Sequence, residues 1–236
     1  MHVPDGFISA PWSLATGVVA AGAVALALRG ARRELDDRTA PLAGLVATFV
    51  FAGQMVNFPV AAGTSGHRLG GALAAVLVGP WTATLCLTVV LLVQALLFAD
   101  GGLTALGTNV TLMGVIGVWV GYAVFRVTAR ALTAAATRHR RPRPFIPVAA
   151  GVGAFASVPA AAAGFALLFA VGGTAPIALS TLLSAMVGVH LAIGVGEAVI
   201  TALVVGSVLA VRPDLVHGAR GLLPTPTLVS HAEARS

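Results

Sequence analysis

Apolar residues in this 236-residue chain come in long runs that contain no charged side chain. The main runs cover residues 39–66, 69–99, 101–125 and 144–189. A helix needs about 20 apolar residues to cross the hydrocarbon core of a bilayer, so each run can hold one or two crossings. Lipid offers no hydrogen bonds to the backbone, and a composition rich in Ala, Leu, Val and Gly favours helices over a β-barrel. We therefore predict an all-α polytopic membrane protein with a single membrane domain, residues 1–211.

Turn residues divide these runs into about seven predicted helices. They cover residues 12–28, 41–57, 67–78, 80–98, 109–125, 145–171 and 177–211. The third has about 12 residues at 1.5 Å each, which is too short to cross a bilayer alone. It either begins earlier or is a partial span that lines a cavity. The seventh is longer than a bilayer requires and has room for a break near Gly188.

Composition and charge agree with a membrane location. Hydrophobic residues make up 58% of the chain and charged residues only 9%, whereas a soluble domain carries about 25% charged residues. The net charge is +6, and all fourteen basic residues are arginines. Most of them lie in two connections between apolar runs, residues 29–38 and 126–143, as the positive-inside rule describes for cytoplasmic loops. This predicts an external N-terminus and a cytoplasmic C-terminus with only Arg68 outside, and it implies no nucleic-acid partner.

The two ends of the chain differ in charge. Residues 1–11 contain no basic residue and carry Asp5, while arginines follow the first apolar run. That is the wrong charge order for a cleaved signal peptide, so we expect the N-terminus to be retained. Residues 212–236 are polar and contain three prolines. They are predicted to form a mobile cytoplasmic tail in which His217 and His231 are solvated.

Missing residue types exclude several classes of activity. The chain has no lysine, so it has no Walker A motif, Schiff-base lysine or Ser–Lys dyad. Transport against a gradient would therefore need energy from another subunit or from an ion gradient. Cys86 is the only cysteine, which rules out a disulfide within the chain. An H-E-x-x-H helix is also missing, and we do not expect an enzyme.

The first two residues, Met1 and His2, can chelate a metal ion. The free α-amine, the His2 backbone nitrogen and a His2 ring nitrogen can close two fused rings on one ion and leave a fourth corner open. Planar all-nitrogen geometry favours Ni(II) or Cu(II), with Co(II) also suitable. Pro4 and Gly6 predict a tight turn that tucks the N-terminus inward. The alternative is that a histidine at position 2 is incidental.

A glycine-rich loop, residues 62–71, carries His67. With the N-terminus outside, this loop lies on the same side as Met1, so His67 can fill the open corner of the chelate. Thr64 and Ser65 could orient the His67 ring through its second nitrogen. The alternative is that His67 only caps a helix or hydrogen-bonds within the loop.

Four motifs of the chain, taken in order, resemble one known family. They are MHVPDGF at the N-terminus, GTSGHRLGG (residues 63–71), QALLFADGGLTALGTN (residues 94–109) and GVHLAIGVGEA (residues 188–198). Together they are similar to the CbiM/NikM family, the substrate-binding (S) components of energy-coupling factor (ECF) transporters for cobalt and nickel. The resemblance covers nearly the whole membrane portion.

The resemblance implies a ligand set, a location and partners. The metal would be held by the amine of Met1, the backbone and ring nitrogens of His2, and His67. Co(II) or Ni(II) would be the transported substrate, not a cofactor, in a multi-pass protein of the cell membrane that supplies processes such as cobalamin biosynthesis. The partners would be a transmembrane coupling (T) subunit and ATP-hydrolysing subunits, and the need for a separate small membrane subunit stays open. The residues do not choose between cobalt and nickel.

Other polar residues near the predicted outer face have two interpretations each. Gln54, Asn57 and Asn109 lie at helix ends, where they can support the metal ligands or simply cap the helices. Asp100 lies in a loop, where it can attract cations or belong to a turn.

His190 and Glu197 are seven residues apart and share one face of the last predicted helix. Ionisable groups inside a membrane are costly and usually functional or paired, so they could relay motion or bind a partner helix. We do not predict either as a metal ligand. The alternative function is a self-sufficient, proton-coupled metal transporter that uses His190, Glu197 and Asp100 as a proton path.

Overall fold

A computed structural model describes residues 2–37, 39–56, 58–61, 64–136 and 145–223. The helices in chain order are α1 (Ala10–Ala31), α2 (Thr39–Met55), α3 (Gly71–Val78), α4 (Pro80–Leu97), α5 (Leu106–Asn109), α6 (Val118–Ala136), α7 (Phe145–Gly172) and α8 (Leu179–Val211). A π-helical segment, Val110–Gly117, joins α5 to α6. Between α2 and α3, the strands β1 (Phe58–Ala61) and β2 (Thr64–Gly66) pair as an antiparallel hairpin.

Five helices are long and apolar enough to cross a membrane: α1, α4, the continuous helix Leu106–Ala135, α7 and α8. The apolar helix α2 is slightly shorter. The predicted polytopic helical class is confirmed, and the short hairpin is a local addition to it. The number of crossings and the external N-terminus stay predictions.

The third predicted helix is shorter than predicted. Residues 67–70 are not helical, and α3 begins only at Gly71, so the alternative of an earlier start is wrong. Its eight residues are all buried and measure about 12 Å in length. Gly79, with φ +97°, separates α3 from α4. A Cβ at Gly79 would lie 2.4 Å from the Glu34 carboxyl carbon, so only glycine fits there.

Glu34, which lies in the loop that follows α1, stabilises the start of α4. Its carboxylate accepts hydrogen bonds from the backbone N–H of Thr82 (2.7 Å) and of Trp81 (3.2 Å), and from the Thr82 hydroxyl (2.9 Å). A negative charge at a helix N-terminus is favourable because the unpaired N–H groups there carry partial positive charge. Glu34 is buried, and its role was not predicted from the sequence.

The fifth predicted helix is longer than expected at both ends, because it continues from Leu106 through a π-helical stretch to Ala136. A π-helical turn shifts backbone hydrogen bonds by one residue and can leave carbonyl groups available to side chains. The Thr84 hydroxyl of α4 donates to the Gly114 carbonyl in this stretch at 3.0 Å. Trp119 in turn donates its indole N–H to the Thr84 hydroxyl at 3.2 Å. These bonds tie the irregular helix to α4.

The last helix, α8, is continuous and does not have the break near Gly188 for which its length left room. Its buried residues recur every three or four positions and form one stripe, which is the pattern of a helix with a single interior face. The stripe consists of Leu182, Met186, His190, Gly194, Glu197, Thr201, Val205 and Leu209. Leu191, Val195 and Leu203, on the other side, are exposed. His190 and Glu197 therefore share the interior face, as the sequence predicted.

The beginning of the C-terminal tail differs from the expectation of a mobile, solvated extension. Residues 212–223 form short turns, and Val216 and Ala219 are buried in the apolar core. Burial lowers the pKa of His217 to about 4, so its ring is neutral at neutral pH. The tail folds back because Val216 and Ala219 remove apolar surface from water. His231 lies outside the described residues.

Candidate metal centre

The N-terminal segment, residues 2–9, runs into the protein rather than away from it. Val3, Phe7 and Ile8 are buried, and the Phe7 ring packs 5.5 Å from the ring of Phe169 in α7. Gly6 has φ +72°, and the backbone N–H of Phe7 donates to the carbonyl of Pro4. The predicted turn at Pro4 and Gly6 is therefore confirmed, and it directs the first residues inward.

Asn109, at the end of α5, holds the N-terminal segment at Val3. The Asn109 side-chain oxygen accepts the backbone N–H of Val3 at 2.8 Å. The Asn109 side-chain nitrogen donates to the carbonyl of Val3 at 3.1 Å, and the N–H of Gly102 donates to the same carbonyl at 2.9 Å. One amide side chain thus satisfies both backbone groups of a buried residue. Asn109 therefore holds the N-terminal segment at Val3, and its predicted support of the metal ligands stays a prediction.

Asp5 ties the same segment to the loop before α5. Its carboxylate accepts the backbone N–H of Thr104 at 2.7 Å and also the Thr104 hydroxyl. These hydrogen bonds from Thr104 lower the pKa of Asp5 and keep it ionised. At the far end of the segment, the N–H of Ser9 donates to the carbonyl of Gly172 at 2.8 Å. The segment is therefore anchored both to the loop before α5 and to the last residue of α7.

His2 is buried, with 5% of its surface exposed. Its Nε2 lies 3.2 Å from the side-chain oxygen of Gln94 in α4. Its Nδ1 lies 2.9 Å from a carboxylate oxygen of Asp100. Asp100 is thus beside the predicted ligand and not only a turn residue. Neither partner of His2 was predicted from the sequence.

His67 faces His2. The two rings are stacked, with centroids 4.3 Å apart and planes 23° apart. His67 Nδ1 lies 2.6 Å from the carbonyl oxygen of Arg68, and because a carbonyl can only accept, Nδ1 carries the proton. The sequence had suggested Thr64 or Ser65 for this bond.

The second nitrogen of His67, Nε2, is buried and has no hydrogen-bond partner among the described residues. With the proton on Nδ1, Nε2 presents a lone pair. A neutral imidazole held by a carbonyl on one nitrogen and free on the other is the usual state of a metal-binding histidine.

Burial also sets the protonation of the two histidines. It lowers the pKa of His2 and lowers that of His67 well below the ordinary value. Both rings are therefore neutral at neutral pH. The neutral imidazole is the form that binds a metal ion.

The remaining predicted residues occupy distinct positions. Gln54 is fully buried and donates from its side-chain nitrogen to the carbonyl of Leu69 at 2.7 Å, so it supports the loop after His67. Glu197 binds the same loop through Gly70. His190 Nδ1 lies 2.7 Å from the carbonyl of Met186, one turn earlier in α8.

Met1 and Asn57 lie outside the described residues. Within the part of the chain that the structure describes, three or more His, Cys, Asp or Glu side chains do not come together as a metal-binding group. A metal bound between the two imidazoles would therefore need further ligands of other kinds. Asp100, His190 and Glu197, the three members of the alternative proton path, each contact a different group.

The chain is a polytopic helical bundle in which the inserted N-terminal segment brings the neutral imidazole of His2 to face that of His67. These features define a membrane protein suited to binding a transition-metal ion. Residues 2–215 match the CbiM family, described as the cobalt uptake substrate-specific transmembrane region. The chain belongs to this family.

Three similar proteins illustrate the match. A putative metal transport protein of Haloquadratum walsbyi is 39% identical over 219 residues, which is 92% of this chain and 93% of the relative. A putative fused nickel transport protein NikMN of Archaeoglobus fulgidus is 38% identical over 217 residues, covering 92% of this chain and 68% of the relative. The crystal structure of a truncated transition metal transporter superposes with a TM-score of 0.78 at 31% identity, covering 89% of this chain and 99% of that one. These matches confirm the predicted class, a multi-pass metal transport protein and not an enzyme.

Proposed function

We propose that this chain is the substrate-binding subunit of an ECF-type importer and that it captures Co(II) or Ni(II) from the external medium. The ligands are the Met1 amine, the His2 backbone nitrogen, His2 Nδ1 and His67 Nε2. The backbone nitrogen and Nδ1 of one histidine can close a chelate ring on a metal ion. The observation that carries the proposal is the His2–His67 pair, with His67 Nε2 buried and lacking a partner among the described residues.

The energy for transport comes from partner subunits. The chain contains no lysine and therefore no Walker A site. A T subunit and ATP-hydrolysing subunits drive release of the metal to the cytoplasm. The fused name of the NikMN relative is in keeping with assembly from several components. Reconstitution into liposomes tests this step: metal uptake should require the ATPase subunits and ATP, and uptake by the chain alone with only a proton gradient would refute it.

The site itself is tested by metal analysis of the purified protein with its native N-terminus. One extra residue before Met1 moves the α-amine away from the chelate, and His2→Ala or His67→Ala removes a ligand. We expect each change to abolish stoichiometric Ni(II) or Co(II) binding.

The matched control is His217→Ala, because His217 is a partly buried histidine that lies in the C-terminal turn, away from His2 and His67 in the sequence. It should retain the metal. Unchanged metal content in any of the three site variants would show that the ligand set is wrong.

A further inference from the structure

Glu197 is a fully buried carboxylate in the middle of α8. A charged group at such a position is costly unless it has strong partners. One carboxylate oxygen accepts the backbone N–H of Gly70 at 2.8 Å, and the other lies 3.4 Å from Nε of Arg68. Both partners belong to the short segment that directly follows His67 in the chain. Glu197 therefore bonds the loop that carries a proposed metal ligand.

Gly70 precedes the first residue of α3. Its φ of +73° is unfavourable for other residues, and a Cβ there would lie 2.8 Å from the Val50 side chain. The Glu197 carboxylate at this helix start meets the partial positive charge of the free N–H groups. Glu197 thus binds the backbone directly before α3 begins.

Arg68 connects this anchor to the imidazole. Its guanidinium lies over the ring of Phe49 at 5.2 Å, and its side chain fills the space beside Gly53, where a Cβ would be 3.0 Å from Nη1. The carbonyl of Arg68 accepts the proton of His67 Nδ1 at 2.6 Å. A displacement of the Arg68 backbone would therefore rotate the His67 ring and move its Nε2.

On the basis of the proposed metal-binding function, we propose that Glu197 is a positioning residue of the metal centre. It acts through Gly70 and Arg68 to hold the Arg68 carbonyl in place, and that carbonyl fixes both the tautomer and the direction of the His67 ring. This role differs from the proton relay that its position in the membrane first suggested. It also connects the centre of α8 to the geometry of the metal ligands.

The test compares Glu197→Gln with Glu34→Gln. The two glutamates are matched because each is a buried carboxylate that accepts a backbone N–H at a helix start. Glu197 does so at the start of α3 and Glu34 at the start of α4. Glu34 lies after the far end of α1, a helix of 22 residues that is about 33 Å long, whereas the N-terminal segment precedes that helix. Loss of a partner that orients a metal ligand typically weakens metal binding about 10- to 100-fold. We expect E197Q to weaken Ni(II) binding by that factor and E34Q to leave it unchanged.

A second measurement separates positioning from a general loss of stability. Cu(II) binds nitrogen ligands more tightly than Ni(II) does, and its visible absorption band moves to longer wavelength when a nitrogen ligand is lost. At saturating Cu(II), the band of E197Q should move from that of the unmodified protein toward that of His67→Ala, while the band of E34Q should not move. If E197Q does not yield folded protein, Arg68→Gln, which removes the Nε donor, is measured instead and judged by the same criteria.

Equal Ni(II) affinity of E197Q and E34Q, or an E197Q spectrum identical to that of the unmodified protein, would overturn the proposal. A failure of the underlying function has a different signature, because in that case the unmodified protein with its native N-terminus would itself bind no Ni(II).

Discussion

Replacing Asn109 with alanine should loosen the N-terminal segment and weaken metal binding without touching a proposed ligand. The Asn109 amide makes two hydrogen bonds to the backbone of Val3, which is 1% exposed. Alanine removes both bonds. The Val3 carbonyl keeps the N–H of Gly102 as a donor at 2.9 Å, so the main loss is at the Val3 N–H.

The size of the loss in metal affinity follows from the Val3 N–H, which is left without an acceptor. A buried N–H left without an acceptor costs about 1–3 kcal/mol. The penalty applies only while the segment is inserted, so it lowers the population of the state that binds metal. At 1.4 kcal/mol per factor of ten, a penalty of about 2 kcal/mol weakens the apparent affinity up to about 30-fold. The full factor is reached only when the segment of the altered protein is mostly displaced.

The assay combines Ni(II) titration with hydrogen exchange of the N-terminal peptide. Asn109→Ala should weaken Ni(II) binding and speed exchange of the Val3 amide in the metal-free protein. The matched control is Thr108→Val, at the adjacent buried position, because the Thr108 hydroxyl bonds Thr16 of α1 at 2.7 Å and not the N-terminal segment. It should leave both measurements close to those of the unmodified protein.

An Asn109→Ala protein whose Val3 amide exchanges as slowly as before would refute this prediction. In that case the two hydrogen bonds between Asn109 and Val3 would not be what holds the N-terminal segment in place. An effect of Thr108→Val equal to that of Asn109→Ala would also refute it, since a general loosening of the bundle would then explain both.

Two further predictions concern the same centre. Metal affinity should fall as pH falls, but between about pH 8 and 6.5 the competing protons should be those of the α-amine and of the His2 backbone amide rather than those of imidazole. Burial already lowers the pKa of His2 and His67 below the ordinary value, so both rings are neutral over that range; an imidazole titration near pH 6.5, seen by NMR of the metal-free protein, would contradict this. Gly102→Ala should displace the N-terminal segment and abolish most Ni(II) binding, because a Cβ there would lie 2.3 Å from the backbone nitrogen of Asp5. Titration with Ni(II) measures the affinity of this variant, and an unchanged affinity would show that the N-terminal segment is not required in this position.

Several features of the fold were accessible from the sequence because they depend on local composition. Each uncharged apolar run contains helix in the structure, and α7 starts at Phe145 as predicted. The interior face of α8 follows from the seven-residue spacing of His190 and Glu197 alone. Hydrogen bonding within a helix and exclusion of charge from lipid are properties of short stretches of chain, so a pattern can indicate them. The pairing of His2 with His67 was likewise anticipated from family resemblance and a topology argument.

Long-range contacts were decided only by the tertiary structure. The bond between Asn109 and Val3 joins residues 106 positions apart, and the bond between Glu197 and Gly70 joins residues 127 apart. That second bond is made at the residue before the start of α3, and no helix propensity encodes it. Hydropathy reports which segments enter the membrane, but which polar groups meet there depends on how the helices pack and on the need of each buried polar group for a partner.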